Sequence, residues 1–563
     1  MINPPEKSIH GWPCRVVTPL FAILLLLPAH LTCGESAATH KAKDDVLLQA
    51  MQAELERSKS QMKMEGAAAP YYLEYRVKDL QEISSRAEFG ALLGENQIHV
   101  RFLRVVVRVG DYKQDSYYGA GQGTADFIGL DDDMLALRHQ LWLLTDRAYK
   151  TAIESLAAKR AALEKFQVDH PVDDFARTPA VQSIGPLVKL DLDTSTWRKS
   201  LIDATALYRQ DPGVQSLAAA ADFLAVNEYF VNSEGTVIRD GSNMHHVSVS
   251  GYTQAPDGMF LLRSPDYASS RMEDLPSPDQ FVANAKKLLD ALKALRAAPV
   301  VEEEYRGPVM IEPDAANDVV AALIGKNILG YRPRPGADAR TTGEYASSYK
   351  SRVLPEFVSI TDDPTQTAFN GHSLLGSYEF DDEGVKAEPV KVVENGVLTH
   401  YLLGRQPLRD FPNSNGHGRA APAGAPAPSL GNLFLTGSQT FSRAELKRKM
   451  TDLCRQQDKP YGYILRTVIS SNLFPLMLYR VYVKDGHEEL VRGAVFQELD
   501  TRSLRNDLMA VGNDAQASNY ATSPPTSVIT PSLLFDELEI KQAEAGKQKL
   551  PEYPPPPVGP ATR

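Results

Sequence analysis

The chain changes character near residues 300–305, and this change limits the folds that it can adopt. Before that point, long amphipathic segments alternate with valine-rich segments of strand character. After Tyr305-Arg306-Gly307-Pro308, short strand-like runs dominate, and Gly, Pro and Asn interrupt them. The pattern predicts an α+β protein, with a mixed helix/sheet N-terminal domain over residues 44–300 and a mainly antiparallel β C-terminal domain over residues 305–545.

Several segments of the first region have helical spacing. In 131–165, Leu137, Leu141 and Leu144 recur at intervals of three and four, which places them on one face of a helix. The three aspartates at 131–133 are interpreted as charge that caps this helix rather than as metal ligands. Ser277 followed by Pro278 is typical of a helix start. The predicted helices cover residues 44–63, 131–165, 194–209, 213–224 and 277 to about 299.

Strands are predicted where β-branched and aromatic residues cluster or alternate. The predicted strands cover residues 71–77, 97–109, 228–234, 236–239 and 244–252. The Gly/Pro-rich stretch 413–431 is predicted to be a loop. Residues 546–563 contain four consecutive prolines, so we expect an extended, solvated and disordered tail there.

Composition excludes some classes of function. The chain has 563 residues, is 43% hydrophobic and has a formal net charge of −11, without a block of Lys or Arg. These features do not favour nucleic-acid binding. Only three cysteines occur, and Cys14 and Cys33 lie in the N-terminal segment. Cys454 is therefore predicted to be a lone packed thiol, and the large core needs no disulfide.

The N-terminus has the pattern of an export signal. Lys7 and Arg15 precede the apolar run VVTPLFAILLLL at 16–27, which has the length of a signal-peptide core and is short for a membrane span. We expect residues 1–34 to be removed, which leaves no transmembrane span and an exported protein, periplasmic or extracellular. Lipidation at Cys33 and an uncleaved anchor are the alternatives.

Several motifs in the second half occur in an order that resembles a known family. They are VSITDDP (358–364), GSYEFDDEG (376–384), ENGVL (394–398), Tyr401-Leu402, VRGA (491–494) and VGND (511–514), preceded by VNSEG (231–235). Each motif alone is an ordinary strand or hairpin turn. Their shared order is similar to that of the TldD/PmbA metallopeptidase family, once called modulators of DNA gyrase.

The resemblance implies a zinc site that this chain lacks. An active TldD-type subunit has His-Glu-x-x-x-His on a helix and a distal Cys, where zinc activates water and Glu acts as the base. The matching positions here are Ala321, Ala322 and Lys326, and no Cys follows Cys454. We therefore predict no metal, no cofactor and no catalytic residue, so that this chain alone is inactive.

A relocated site would require other potential ligands or acid/base groups to converge. His245 and His246 are adjacent on a strand and should point to opposite faces. His372 lies in a polar turn and His417 lies in the Gly/Pro loop, so neither joins them in a metal-binding pattern. Glu312 and Asp314 are interpreted as caps of the following helix, with an acid/base role as the alternative.

The resemblance also implies a partner and a ligand. The family is understood to pair a zinc-bearing subunit with one that lacks zinc, around a chamber for extended peptides. We therefore predict a metal-free subunit, in a homo- or heterodimer, that holds peptide. The predicted peptide-binding residues are Asn232, Ser233, Glu234, Gly235, Asp381, Asp382, Glu383 and Gly384. The alternatives are a stand-alone envelope protein that binds peptides or proteins without hydrolysis, and a peptidase with a relocated site.

Overall fold

The structure is a computed structural model that describes residues 45–166, 172–334, 337–544 and 549–556. The predicted signal peptide lies outside these ranges, as do the first and last parts of the predicted tail. Residues 549–556 of the tail contain no helix or strand. Within the described ranges, no helix combines the length and the apolar character needed to cross a membrane.

Seven α-helices are described. They are α1 (Val46–Gln61), α2 (Met134–Leu163), α3 (Ser195–Ala206), α4 (Pro278–Ala297), α5 (Pro313–Leu323), α6 (Arg443–Gln456) and α7 (Thr501–Asn506). The caps predicted at the starts of α2 and α4 are confirmed. Asp133 accepts a hydrogen bond from the backbone N–H of Ala136 at 2.7 Å, and Ser277 forms a reciprocal capping box with Gln280.

The N-terminal region contains eight strands. They are β1 (Pro70–Glu88), β2 (Ala91–Val109), β3 (Thr124–Ile128), β4 (Gln182–Ile184), β5 (Val214–Asn232), β6 (Val237–Gln254), β7 (Phe260–Arg263) and β8 (Asp266–Ser269). They form one sheet in the order β3-β2-β1-β5-β6-β4, with β7 and β8 paired to β6. All pairs except β4–β6 are antiparallel.

The remaining strands come from residues 305–542. They are β9 (Tyr305–Ile311), β10 (Val358–Asp362), β11 (Ala368–Phe369), β12 (His372–Ser373), β13 (Val390–Glu394), β14 (Val397–Leu398), β15 (Gly418–Arg419), β16 (Ala427–Pro428), β17 (Asn432–Gly437), β18 (Thr440–Phe441), β19 (Tyr461–Ile469), β20 (Phe474–Tyr482), β21 (Glu488–Val491), β22 (Ala494–Phe496), β23 (Leu508–Gly512), β24 (Gln516–Tyr520), β25 (Thr526–Thr530) and β26 (Leu533–Gln542). Two larger sheets run β14-β13-β10-β17-β25-β24 and β18-β23-β26-β9-β19-β20-β21, with β22 paired to β26. Two two-stranded ribbons, β11-β12 and β15-β16, complete the set, so the predicted loop 413–431 contains one short ribbon.

The predicted fold class is confirmed, since helices combine with mainly antiparallel sheets. The first sheet uses only residues before 270, and the other sheets use only residues after 304. The predicted domain boundary at 300–305 lies between these groups. As a division between independently folding units it stays a prediction.

The predicted helix over 213–224 is wrong, because this segment is the first half of β5. Its alanines suggested a helix, yet its burial alternates residue by residue, as expected for a strand. β5 pairs along its length with β1 on one side and with β6 on the other. The ladder on both sides outweighs the weak helical preference of the alanines.

Both faces of the first sheet are used. Leu73, Tyr75 and Leu103 pack under α1 and α2 in one buried cluster, which the apolar face of α2 completes. The opposite face of β1, β5 and β6 looks towards loops that come from residues after 360. This opposite face forms the floor of the main cavity.

Candidate functional site

The helix expected to hold the zinc motif is present, but it lacks the zinc ligands and the catalytic base. α5 packs Ala315, Val319 and Val320 into the core between the two larger C-terminal sheets. Ala321 and Ala322 lie half-buried in its last turn, and Lys326 lies exposed in the short 3-10 turn that follows. The alanines offer no donor atom and the ammonium repels a cation, so these positions do not fit zinc.

Elsewhere in the described ranges, no group of three or more His, Cys, Asp or Glu side chains converges as a metal site. His245 is buried against the Phe223 ring, whereas His246 faces the main cavity, so the prediction of opposite faces is confirmed. His372 is exposed, and His417 is fully buried with Nε2 at 3.2 Å from Asp362.

The predicted capping role is wrong for Glu312. It occupies the N-cap position of α5, but its side chain makes no capping hydrogen bond. Its carboxylate instead lies 2.7 Å from Arg443 Nε and 3.3 Å from Arg466 Nε. Two cations attract the carboxylate more strongly than the backbone N–H groups do.

A cavity of about 1120 Å³ lies between the first sheet and the C-terminal loops. β1, β5 and β6 form its floor, and segments within 364–387, 419–422 and 521–525 form its other walls. The volume is at the upper end of the range for ligand sites. We call this space the chamber.

Strand register orders the chamber floor in rows. Leu80 of β1 lies opposite Val226 of β5, and the next row along these strands places Leu224 of β5 opposite Met244 of β6. These four residues form an apolar band, since residues two apart on a strand share a face. On one side of the band, the next row contains Lys78, Glu228 and Asp240.

Asp382 forms a buried ionic cluster in the chamber wall. Its Oδ1 lies 2.6 Å from Lys78 Nζ and 3.4 Å from Arg76 Nη1, and its Oδ2 lies 3.3 Å from Arg419 Nε. Lys78 also pairs with Glu228. Burial alone would raise the pKa of Asp382, but the three cations outweigh burial and hold its pKa well below the usual range.

The neighbouring acidic residues are also buried. Asp381 accepts hydrogen bonds from the backbone N–H groups of Glu383, Val385 and Gly418 at 2.8–3.0 Å. Burial and the nearby Glu383 nevertheless raise the pKa of Asp381 well above its ordinary value. Gly384 has a φ of +74°, and a Cβ there would lie 2.6 Å from the Phe230 ring, so this turn requires glycine.

The other predicted peptide-binding segment, 232–235, turns the chain from β5 into β6. Asn232 Oδ1 accepts from the backbone N–H groups of Glu234 and Thr236 at 3.1 and 3.0 Å. Ser233 Oγ accepts from the backbone N–H of Leu73 at 3.0 Å. Gly235 has a φ of +101° and is exposed.

Arg405, which the sequence analysis did not single out, joins the two predicted segments. Its side chain is fully buried and its Nη2 lies 2.9 Å from Glu234 Oε1. Its backbone N–H donates to Glu383 at 2.6 Å, and its guanidinium donates to the carbonyl of Ala176 at 2.7 and 3.1 Å. The two segments therefore meet around Arg405, a contact that we call the joint, and of their eight residues only Asp381 and Asp382 line the chamber. Peptide contact by the eight residues stays a prediction.

Three carboxylates in the chamber have a different environment. Glu82, Asp240 and Glu379 line it without an ion pair among the described residues. Burial and then Asp222 raise the pKa of Glu82. Burial, followed by Glu228 and Glu379, raises the pKa of Asp240. The chamber therefore contains negative charge that the protein itself leaves unneutralised.

A second cavity of about 510 Å³ lies beside the chamber, beyond a wall that includes β8 and Ser373. Asp314 and Asp318, one turn apart on α5, line it together with Asp266. Tyr520 donates a hydrogen bond to Asp318 at 2.8 Å. Burial, then the charge of Asp318, raises the pKa of Asp314 to about 6. Asp314 is thus a carboxyl group that titrates near neutral pH.

Motif reasoning did not find the residues that shape the chamber. Leu80, Leu224, Val226 and Met244 look like ordinary strand positions, and their shared face depends on pairing across three strands. The alternation of side chains between the two faces of β5 could have indicated these positions, but residues 213–224 were interpreted as a helix.

Comparison with known proteins identifies the scaffold as that of a metallopeptidase family. Residues 304–542 match the family described as PmbA/TldA metallopeptidase C-terminal domain. A metalloprotease of Methanocaldococcus jannaschii is 22% identical over 370 residues, which is 64% of this chain and 75% of that protein. This part of the chain is therefore similar to the TldD/PmbA family, as its motif order predicted.

Solved structures agree on the fold. A putative modulator of a DNA gyrase from Thermotoga maritima superposes with a TM-score of 0.56 at 16% identity and covers 89% of this chain and 100% of its own. TldE from Thermococcus kodakarensis superposes with a TM-score of 0.57 at 12% identity and covers 87% of this chain and 100% of its own. At these identities the likeness concerns the fold alone.

Proposed function

We propose that this chain is a non-catalytic subunit of a TldD/PmbA-type peptidase and that it shapes a chamber for extended peptide. One observation carries the proposal. The helix α5 is packed into the core as scaffold, while its expected ligand and base positions are Ala321, Ala322 and Lys326. A chain without metal ligands or base has no means of making hydroxide by the family's chemistry.

The chamber supports the peptide-holding part of the proposal. It is large, and it combines an apolar band with charged walls, as ligand sites in proteins commonly do. Asp381 and Asp382 line it, and the Arg405 joint connects the segment that contains them to the 232–235 turn. The joint thereby fixes the wall loop against the sheet floor.

Catalysis is proposed to come from a zinc-bearing family member that pairs with this chain. The test is a peptidase assay on an unfolded peptide mixture with this chain alone, with a motif-bearing relative alone, and with both. We expect turnover only when the motif-bearing relative is present, and more turnover with both. Turnover by this chain alone, or stoichiometric zinc in the purified chain, would overturn the proposal.

The second candidate is a peptidase with a relocated site, and the second cavity favours it. Asp314, with a pKa of about 6, has a protonation state suited to acid or base work near neutral pH. If this chain alone cleaves peptides, Asp314→Asn should abolish the activity and Glu312→Gln, which changes a paired carboxylate outside that cavity, should preserve it. Equal activity of the two variants would exclude this site.

A third candidate is a stand-alone peptide- or protein-binding protein of the envelope, and the oligomeric state in the host distinguishes it from the subunit. Recovery as a monomer without a family member would favour the stand-alone protein. We also propose export after removal of residues 1–34. Mass spectrometry of the N-terminus of protein from the host tests this, and an unprocessed or lipid-modified N-terminus would replace the proposal with one of its alternatives.

A further inference from the structure

The chamber floor and walls define what kind of peptide it fits. The apolar band of Leu80, Leu224, Val226 and Met244 is the part of the floor without charge. Leu374, Leu375, Pro524 and Pro525 line other walls of the same cavity. An apolar surface inside a cavity stabilises a bound apolar side chain roughly in proportion to the area removed from water.

Charge in the chamber is unequally distributed. Seven carboxylates and five cationic side chains line it. Arg76, Lys78 and Arg419 are held by Asp382 at 2.6–3.4 Å, and Arg86 is held by Asp222 at 2.8 Å. Four of the five cations therefore have a carboxylate partner, although three of them share Asp382.

The carboxylates without a partner lie next to the apolar band. Asp240 occupies the row beside the band and interacts with Glu228 and Glu379, both of which disfavour its ionised form. The remaining cation, Lys386, also lines the chamber and has no ion pair among the described residues. Seven acidic and five cationic side chains line the chamber, so the acidic groups outnumber the cations even if Asp381, whose pKa burial raises well above its ordinary value, is protonated. A ligand cation near Asp240 and Glu379 would relieve their mutual repulsion.

We propose that the chamber binds an extended peptide segment in which a large apolar side chain lies next to a lysine or arginine. The apolar side chain contacts the band, and the cation lies at Asp240 and Glu379. This inference rests on the proposed peptide-holding function and narrows its substrate class.

The test uses the purified full chain and four fluorescein-labelled octapeptides of Gly and Ser. Their central residues are Lys-Phe-Lys, Glu-Phe-Glu, Lys-Ser-Lys or Glu-Ser-Glu, and affinity is measured by fluorescence anisotropy at low salt. We expect the Lys-Phe-Lys peptide to bind about tenfold more tightly than either peptide that differs from it in one property. Its advantage over Glu-Phe-Glu should shrink with added salt.

Two variants locate the binding. Ser242→Trp fills the chamber from an exposed floor position beside Val226 and should weaken Lys-Phe-Lys binding about tenfold or more. Gln97→Trp is the matched control, because Gln97 is an exposed strand residue that does not line the chamber. The double variant Asp240→Asn/Glu379→Gln should abolish the preference for Lys over Glu and keep the preference for Phe over Ser.

The outcomes separate the two proposals. If none of the four peptides binds, the peptide-holding function fails and this inference fails with it. If all four bind equally, or if Gln97→Trp weakens binding as much as Ser242→Trp, the chamber selectivity is overturned while peptide holding stands. Tighter binding of Glu-Phe-Glu than of Lys-Phe-Lys would also overturn it.

Discussion

The joint and the chamber both contain acidic side chains. At the joint a cation pairs with one of them, whereas in the chamber some acidic side chains have no ion pair among the described residues. At the joint, the buried guanidinium of Arg405 pairs with Glu234 at 2.9 Å, and the backbone N–H of Arg405 donates to the buried carboxylate of Glu383 at 2.6 Å. In the chamber, Asp240 and Glu379 face open space without a cation. A buried charge that is paired fixes structure, whereas Asp240 and Glu379 are exposed and unpaired, so a ligand cation can approach them.

This contrast also separates the two halves of the predicted site. The two predicted peptide-binding segments, 232–235 and 381–384, are turns in which acidic residues and glycines cluster. Of those residues, Glu234 and Glu383 contact Arg405 at the joint, whereas the chamber floor comes from strand positions that lie outside the motifs. Substitutions at the joint are therefore expected to have the largest effects on stability.

The largest effect is expected for Arg405→Met. This change leaves Glu234 without its cation and removes the guanidinium hydrogen bonds to Ala176, while the backbone hydrogen bond to Glu383 remains. Loss of one partner from a buried ionic network costs about 3–5 kcal/mol. Urea unfolding followed by circular dichroism should show a loss of this order. Arg409→Met, in the same loop but paired with the exposed Asp338, should cost less than about 1 kcal/mol. Equal losses for the two variants would show that the buried Arg405 contributes no more to stability than the exposed pair of Arg409 does.

The next largest effect is expected for Asp382→Asn, at about 3 kcal/mol at neutral pH, since three cations lose one shared partner. The pKa of Asp382 is depressed in the folded protein, so its contribution is present above the unfolded pKa, about 4, and is lost as pH falls through the folded pKa. The free energies of unfolding of wild type and variant should therefore converge as pH falls below about 4. Asp410→Asn, which alters an exposed pair with Arg340, is the control. A difference that does not depend on pH would contradict this assignment.

Much of the fold could be predicted from sequence, because its signals are local. The helix over 131–165 and the cap at Ser277 depend on spacing and capping within one segment, and the structure places both where expected. The segment 213–224 was mistaken because its state depends on β1 and β6, which are distant in sequence. Local propensity cannot reveal such pairing.

In the candidate site too, local features could be predicted from sequence and long-range contacts could not. The loss of ligands at Ala321, Ala322 and Lys326 could be inferred by counting residue types, since alanine cannot bind zinc in any fold. The chamber could not be inferred, because its apolar band combines residues from three strands. Arg405 could not be inferred either, since nothing beside it in the sequence indicates that Glu234 lies 171 positions away in the chain and 2.9 Å away in space.

A smaller effect is expected for Asp314→Asn in the second cavity. The pKa of Asp314 is raised to about 6, so the folded state favours the protonated carboxyl, and stability falls as pH rises from the unfolded pKa, about 4, to about 6. The variant removes this cost. It should be more stable than wild type at pH 7 by about 1 kcal/mol or less after solvent screening, and equal to it near pH 4. Thermal unfolding at the two pH values measures both differences, and a variant less stable than wild type at pH 7 would contradict the raised pKa.

The smallest effect is expected for Asp240→Asn, which is the same chemical change as Asp382→Asn in a wall of the same chamber. Asp240 has no ion pair among the described residues, and Glu228 and Glu379 repel its charge. Its neutralisation should change the free energy of unfolding by no more than about 0.5 kcal/mol, and towards greater stability. Urea unfolding of the two variants side by side compares them directly. If Asp240→Asn costs as much as Asp382→Asn, then Asp240 has a structural partner and the chamber has no spare charge for a ligand. If the cost is near zero, the carboxylate at this position does not stabilise the fold and stays available to a ligand cation.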